Sequence, residues 1–453
     1  MNLTDYTATE LLEQLRSKAI TPKEIAQSCI QRIREIDPQV NAWEYFDEEA
    51  IEAQLTKIGG YAQEDYPLYG IPIGVKDIYN TFDMPTQMGS PLWRDFTPGN
   101  DARLIHYLRR SGAIMLGKTV TAEFAVHYQD KTRNPHDLAR SPGTSSSGSA
   151  VAVATGMVPL ALGSQTAGSI GRPASYCGIY GFKPTFGVLP RIGVLKTTDS
   201  LDTLGFFSRS VEDLSLMFEA SRVHGENYEF VHRYIDHYSP NPDKIYRIGI
   251  VKHPRWEEAS PYAKEQFAQW CERIKDPRLK FEEVTLPPFC DTIHATHQCI
   301  YDKSLAYYFK DEYANHELMS PIFYNIIQEG LTISKEQYQE ALEKQSRETR
   351  EFDTWMDSYD LLITLATADE APIGLTTPDI PDSNLIWTYL GLPIITVPAL
   401  QGSNGLPIGI NLIARKYHDK TLLEFASLLE KINIIRKTIS ITPKLEGLIP
   451  NER

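Results

Sequence analysis

Residues 140–156 read RSPGTSSSGSAVAVATG, which sets Ser145, Ser146, Ser147 and Ser149 in one loop framed by Gly143 and Gly148. A flexible linker is polar on both sides. This stretch instead runs straight into AVAVATGMVPLALG at 150–163, so the loop belongs to a core. The small residues of SAVAVATG suit a tightly packed helix, and MVPLALGSQTAG reads as a strand and then a loop. Further upstream, DARLIHYLRRSGAIMLGKTV (101–120) reads as helix, glycine turn and strand, and YGIPIGVKDIYNT (69–81) as a buried strand entering a polar segment. Residues 7–37 carry leucine and isoleucine at helical spacing, with Thr21-Pro22 as the cap and first turn of a second helix. Such short-range alternation predicts a layered α/β fold.

Composition agrees with a folded core: of 453 residues, 42% are hydrophobic and 23% charged. A net charge of −14 argues against a nucleic-acid surface, which needs a basic footprint. The opening MNLTDYTATELLEQL shows no basic segment followed by an apolar run, so no signal peptide is expected. No apolar stretch approaches the roughly 18 residues of a membrane span, and no membrane association is expected. Cys29, Cys177, Cys271, Cys290 and Cys299 form no CxxC pair and are odd in number, which reads as free thiols in a reducing cytoplasm. From 225 to 355 the chain turns rich in charge and tyrosine and is expected to be a mostly helical excursion. Apolar strands return in LLITLATADEAPIGL and LGLPIITVPALQGSNGLPIGINLIA. The whole of 1–453 therefore reads as one sheet-centred domain.

The serine loop has rivals to weigh. A phosphate loop fails, because Ser149 follows Gly148 where lysine is required. Ala167-Gly168-Ser169-Ile170-Gly171 nearly matches the GxSxG nucleophile elbow, and histidines from His224 to His418 follow it, so chain order alone does not exclude that mechanism. The elbow explains neither the serine loop nor Lys76, which ends the apolar GIPIGV. Burial lowers a lysine's pKa, and a neutral amine beside a relay serine and a nucleophilic serine makes a triad without histidine.

These stretches, with KTRNPHD, SPGTSSSGSAVAVATGMVPLALGSQTAGSIGRPASYCGIYGFKPTFG and LDTLGFFSRSVEDL, resemble the amidase signature family, densely over 65–217 and more weakly at the N-terminus and over 384–430. The resemblance implies one domain of α/β/α layers around a large mixed central sheet, with 65–217 as the signature core and 225–355 covering the site. It implies Lys76 as base, Ser145 as the relay serine held by a cis peptide, and Ser169 as nucleophile. The backbone N–H groups of Thr166, Ala167, Gly168 and Ser169 would form the oxyanion hole, with Ser146, Gln165 and Arg172 in support. Lys118, Lys183, Asn134 and Cys177 would hold structure. The chain departs from the commonest family pattern: Ala167 replaces a glycine, and Gln165 and Gly171 stand where Asp and Arg often occur, as if one internal ion pair were given up together. Arg172 sits one place later, similar to one hydrolase branch of the family.

The activity expected from this resemblance is hydrolysis of the C–N bond of a small-molecule amide through an acyl-enzyme, without metal or organic cofactor. His294 and His297, three apart, are a weak metal signal. Two other readings stay open: the glutaminase component of a tRNA-dependent amidotransferase, and a non-catalytic binding protein of the same fold. Against the first, AVHYQDK (125–131) lacks the Gly/Ser/Thr-rich run associated with that component. A homodimer is left open. Tyr301, Tyr307 and Tyr308 read as core aromatics before pocket residues.

Overall fold

Paired caps start the chain's first two helices. Thr7 and Thr21 accept the backbone N–H groups of Glu10 and Glu24, whose carboxylates bond back to the threonine N–H, opening α1 (Ala8–Arg16) and α2 (Pro22–Val40). Ile25, Cys29, Ile33, Ile36 and Val40 then line the buried face of α2. This computed structural model describes residues 2–59, 65–127, 131–225, 232–375 and 380–443.

The strands are β1 (Trp43–Phe46), β2 (Pro72–Lys76), β3 (Ile114–Thr119), β4 (Leu160–Gln165), β5 (Tyr180–Lys183), β6 (Thr203–Ser208), β7 (Tyr246–Val251), β8 (Leu279–Val284), β9 (Leu361–Leu365), β10 (Ile394–Gln401) and β11 (Pro407–Ala414). They form one 11-stranded sheet in the order β1-β3-β2-β4-β6-β5-β10-β11-β9-β7-β8. β3, β2 and β4 run parallel, as do β9, β7 and β8, and antiparallel pairs join the two groups. Every residue of β2, β3, β4, β5, β6 and β9 is buried, which requires cover on both faces. The strand period of two divides that cover between two cores. Leu361, Ile363, Ile395, Leu412 and Ala414 join the core that holds α1 and α2, whereas Leu362, Ile394 and Ile413 pack with the later helices.

α3 (Glu48–Ile58) follows β1, and α4 (Arg103–Arg110) reaches β3 through Gly112 at φ +86°, as the helix–glycine–strand reading of 101–120 expects. α5 (Ser147–Ala154) is buried throughout and lies so close to β3 that a Cβ on Gly148 would stand 2.4 Å from the Ala42 carbonyl oxygen and 2.5 Å from the Val120 nitrogen. The turn after β4 leads into α6 (Gly171–Cys177), and α7 (Val211–Ser221) follows β6.

Within the 225–355 stretch, α8 (Pro261–Arg273), α9 (Ile293–Tyr308), α10 (Pro321–Thr332) and α11 (Lys335–Trp355) are helical. The stretch also supplies β7 and β8, which the charged composition hides: β8 is an edge strand whose Lys280, Glu282 and Glu283 face solvent. Its residues 226–231 lie outside the described part. Phe309 of this stretch and Phe323 of α10 close on Phe124 with ring centroids 4.8 and 5.0 Å away, which seats these helices on the second core. α12 (Asn384–Tyr389) and α13 (Asp419–Lys431) complete the chain.

Gly148→Ala should lower stability by about 1–3 kcal/mol, because the added methyl meets backbone that cannot swing aside. Urea denaturation followed by tryptophan fluorescence measures it.

Candidate active site

β2 ends at Lys76 with no accessible surface left on the residue. Its Nζ lies 2.8 Å from Ser145 Oγ, 3.0 Å from Ser146 Oγ and 2.9 Å from Ser164 Oγ. Burial pushes the lysine pKa well below its ordinary value, and the charge of Asp202 opposes this only in part. A neutral amine has two N–H donors and one lone pair. Ser146 Oγ spends its own hydrogen on the Ser164 carbonyl at 3.2 Å, so it accepts from Lys76. The lone pair is thus left to the hydroxyl of Ser145 or Ser164, the arrangement a proton acceptor needs.

Two other buried lysines differ in their partners. Lys118 on β3 has the Asp77 carboxylate at 3.0 Å, and Lys183 donates to the Leu392 carbonyl and is pushed down to about 7 by burial. Both tie chain segments together, as do Asn134, which donates to the Ser141 and Tyr176 carbonyls at 3.0 Å, and buried Cys177.

The serine loop is a wedge inside the sheet's cover. Gly143 takes φ +88° with Pro173 Cα 2.9 Å from where a Cβ would stand, and the Thr144–Ser145 peptide is cis. Ser146 Oγ also accepts from the Ser164 N–H at 3.3 Å, while Ser149 Oγ donates to the Leu162 carbonyl at 2.7 Å. The loop therefore clasps β4 along its length and presents Ser145 to Lys76.

Ser169 sits half-buried on the turn between β4 and α6. Among the described residues its hydroxyl bonds to none, Ser145 and every histidine included, so the elbow arrangement of serine on histidine is not formed. The turn around it is anchored through its carbonyls. Thr166 O accepts from His297 Nε2 at 2.9 Å, Ala167 O from Thr388 Oγ1 at 2.8 Å, and Gly168 O from the Arg172 N–H at 2.9 Å. In a trans peptide the C=O and the next N–H point in opposite directions. Three anchored carbonyls thus turn the N–H groups of Ala167, Gly168 and Ser169 the other way, and among the described residues these donate to no acceptor. Thr166 is held besides through its side chain, which donates to Asp202 at 2.9 Å.

Gln165 braces the start of α6 with a neutral amide. Its Oε1 accepts from the N–H groups of Ile170 and Gly171 at 2.8 and 2.9 Å, and its Nε2 donates to Thr388 at 2.9 Å. No arginine fits at 171, since a Cβ there would stand 2.0 Å from Asn384 Oδ1. With Gln165 and Gly171 the two motif positions make no ion pair, and Arg172 pairs instead with Asp382 at 2.8 Å, both buried. Its guanidinium lies against Gly168, where an added Cβ would meet Nη2 at 2.8 Å.

The sequence reading passes over Ser164, Asp202, Asp382 and Thr388, and takes His297 only as half of a weak metal signal. Ser164 and Asp202 lie inside the signature stretches, the one next to Gln165 and the other in LDTLGFFSRSVEDL, Thr388 lies in the weaker match over 384–430, and His297 and Asp382 come from segments with no motif. Tyr301 is core, stacked on His297 with centroids 5.7 Å apart, Tyr308 donates to Asp199 at 2.9 Å, and Tyr307 stands out on the surface. Among the described residues no group of His, Cys, Asp or Glu is placed to hold a metal, and no helix is long and apolar enough to cross a membrane.

The family model described as Amidase matches residues 24–423. The chain belongs to the amidase signature family. A subunit of the glutamyl-tRNA(Gln) amidotransferase of Sulfurihydrogenibium sp. (strain YO3AOP1) is 30% identical, aligned over 96% of this chain and 99% of the relative. The structure of the glutamyl-tRNA(Gln) amidotransferase subunit from Thermotoga maritima superposes with a TM-score of 0.80 at 25% identity, covering 99% of both chains. A structure described as part of a vestigial protein complex revealing the origins of an s-triazine catabolic enzyme gives 0.84 at 26% identity, covering 96% of this chain and 100% of that one.

In this chain Asp382→Ala removes the buried carboxylate 2.8 Å from the Arg172 guanidinium and should destabilise the fold by about 3–5 kcal/mol. Asp382→Ala combined with Arg172→Met should recover part of that loss, measured by urea denaturation of the single and double variants.

Proposed function

We propose that the chain cleaves the C–N bond of an amide through an acyl-enzyme on Ser169. The observation that carries this reading is the Lys76 amine, buried among three hydroxyls with no carboxylate in contact. Lys76 takes a proton through Ser145, which lets the Ser169 hydroxyl attack the amide carbon. The oxyanion that forms is met by the N–H groups of Ala167, Gly168 and Ser169. The proton returns to the leaving nitrogen, amine or ammonia departs, and water releases the acid with Lys76 again as base.

A free-standing small-molecule amidase is the reading that the local pattern of Gln165, Gly171 and Arg172 favours. The curated relatives favour the other reading, a glutaminase component that works with partner chains, since amidotransferase subunits stand among them at 29–31% identity. We take this partner-dependent reading as the one to test first. An amidotransferase moves an amide nitrogen, so its donor is a primary carboxamide and its product ammonia, and on this reading we assign the chain to the cytoplasm. The chain's net charge of −14 then leaves tRNA contact to the partners. The AVHYQDK segment that distinguishes the readings in sequence falls partly at 128–130, outside the described residues. In either case we assign substrate selection to the 225–355 stretch.

The purified chain is assayed for ammonia release from glutamine and from aliphatic, aryl and urea-type amides, alone and after co-purification of partner chains. Glutamine turnover that rises with co-purified partners supports the partner-dependent reading; efficient turnover of another amide by the chain alone supports the free-standing one. Ser169→Ala should lower kcat by about 10⁴-fold or more while the fold persists. A phosphonate adduct mapped by mass spectrometry should lie on Ser169, and an adduct on Ser145 or Ser147 moves the nucleophile into the serine loop.

The lysine gives a pH test. Its pKa is lowered, so the amine is neutral above that value and becomes protonated as the medium is acidified. The kcat/KM should therefore fall as pH drops through the lowered pKa, and Lys76→Arg should be as poor as Lys76→Ala because guanidinium stays charged. An active arginine variant would show that position 76 serves as a cation.

A further inference from the structure

We propose that His297, on α9, is a positioning residue for acylation: by holding the Thr166 carbonyl it aims the Ala167 N–H at the oxygen of the carbonyl under attack. The inference rests on the reading of Ser169 as nucleophile.

The carbonyl of Thr166 only accepts, so His297 Nε2 must carry the hydrogen of their 2.9 Å bond. The other ring nitrogen, Nδ1, is buried and has no partner among the described residues, which suits a neutral imidazole with a bare lone pair there. Burial, with His127 and His294 as further charges of like sign nearby, pushes the ring down to about 4, so this tautomer persists through neutral pH. The ring plane is set by Tyr301, one turn along α9, stacked at 24° with centroids 5.7 Å apart. Ile293 and Ile300 seat the helix in the second core.

Peptide geometry carries the rest. The Thr166 carbonyl and the Ala167 N–H belong to one plane and point oppositely, so a donor fixed on the first orients the second. Thr388 does the same for the next peptide through the Ala167 carbonyl, but Thr388 is itself held by Gln165. His297 comes from the 225–355 stretch, and its bond to Thr166 is the only hydrogen bond between that stretch and the turn 165–171 among the described residues. The variable part of the chain thus reaches the catalytic turn through one imidazole N–H. Position 167 also lacks the glycine of the commoner pattern, and this external anchor suits an alanine whose orientation is set from outside the turn.

The test uses the full chain and a fluorophosphonate probe, whose phosphoryl oxygen enters the oxyanion hole when Ser169 is labelled. Labelling rates are compared for wild type, His297→Leu, which has no donor, and His297→Gln, whose side-chain N–H can reach the same carbonyl. Leu should label about ten- to a hundredfold more slowly, and Gln within about threefold of wild type, both with unchanged circular dichroism. A leucine variant that labels at the wild-type rate overturns the proposal, and so does a glutamine variant as slow as leucine, which would make the ring's packing the cause. Should His297→Leu fail to fold, His297→Phe, which keeps the stack on Tyr301, takes its place. Wild type that takes no label on Ser169 refutes the nucleophile reading instead, a result distinct from either outcome above.

Discussion

A primary amine with no anion beside it, at the end of a strand buried on both faces, is the feature on which the site depends. Water or a carboxylate would keep Lys76 charged, and a charged lysine accepts no proton. The sheet excludes the water, and the three contacts to Nζ are hydroxyls from the serine loop and β4. The contrast lies one strand away, where Lys118 is equally buried but has Asp77 at 3.0 Å, a partner that favours the ammonium. The same residue type on neighbouring parallel strands thus meets only hydroxyls in one place and has a carboxylate among its partners in the other.

Around that amine the chain builds an anchored turn. The carbonyls of 166, 167 and 168 are taken up by donors from α9, α12 and α6, elements far apart in sequence. Donors aimed in advance need no reorganisation when charge develops on a substrate oxygen. The exchange at Gln165, Gly171 and Arg172 keeps this frame by other means: a neutral amide caps the start of α6, and the arginine finds Asp382 in place of a neighbour in the motif. Gly171 leaves the space in which Asn384 packs.

Much of this was legible in the chain itself. The apolar run after the serine loop marked a core helix and strand, and α5 and β4 fill those positions. Thr21-Pro22 starts a helix because a hydroxyl cap and a proline at the first turn leave few other conformations. β8 was not legible, because an edge strand with one wet face has the composition of a surface helix, and β7 was not because strand pairing is a long-range choice.

Sequence by itself supplied the candidate reacting groups. Lys76, Ser145, Ser146 and Ser169, with the glycines that let backbone come close, are properties of local segments and of a motif. Only the tertiary structure decided how those atoms are tuned and aimed. Burial by strands and a loop on either side lowers the Lys76 pKa, and the turn at 166–168 is oriented by His297 and Thr388, well over a hundred residues away. The reason is physical: desolvation and the direction of a hydrogen bond depend on everything that surrounds a group, and no local stretch of chain contains its own surroundings.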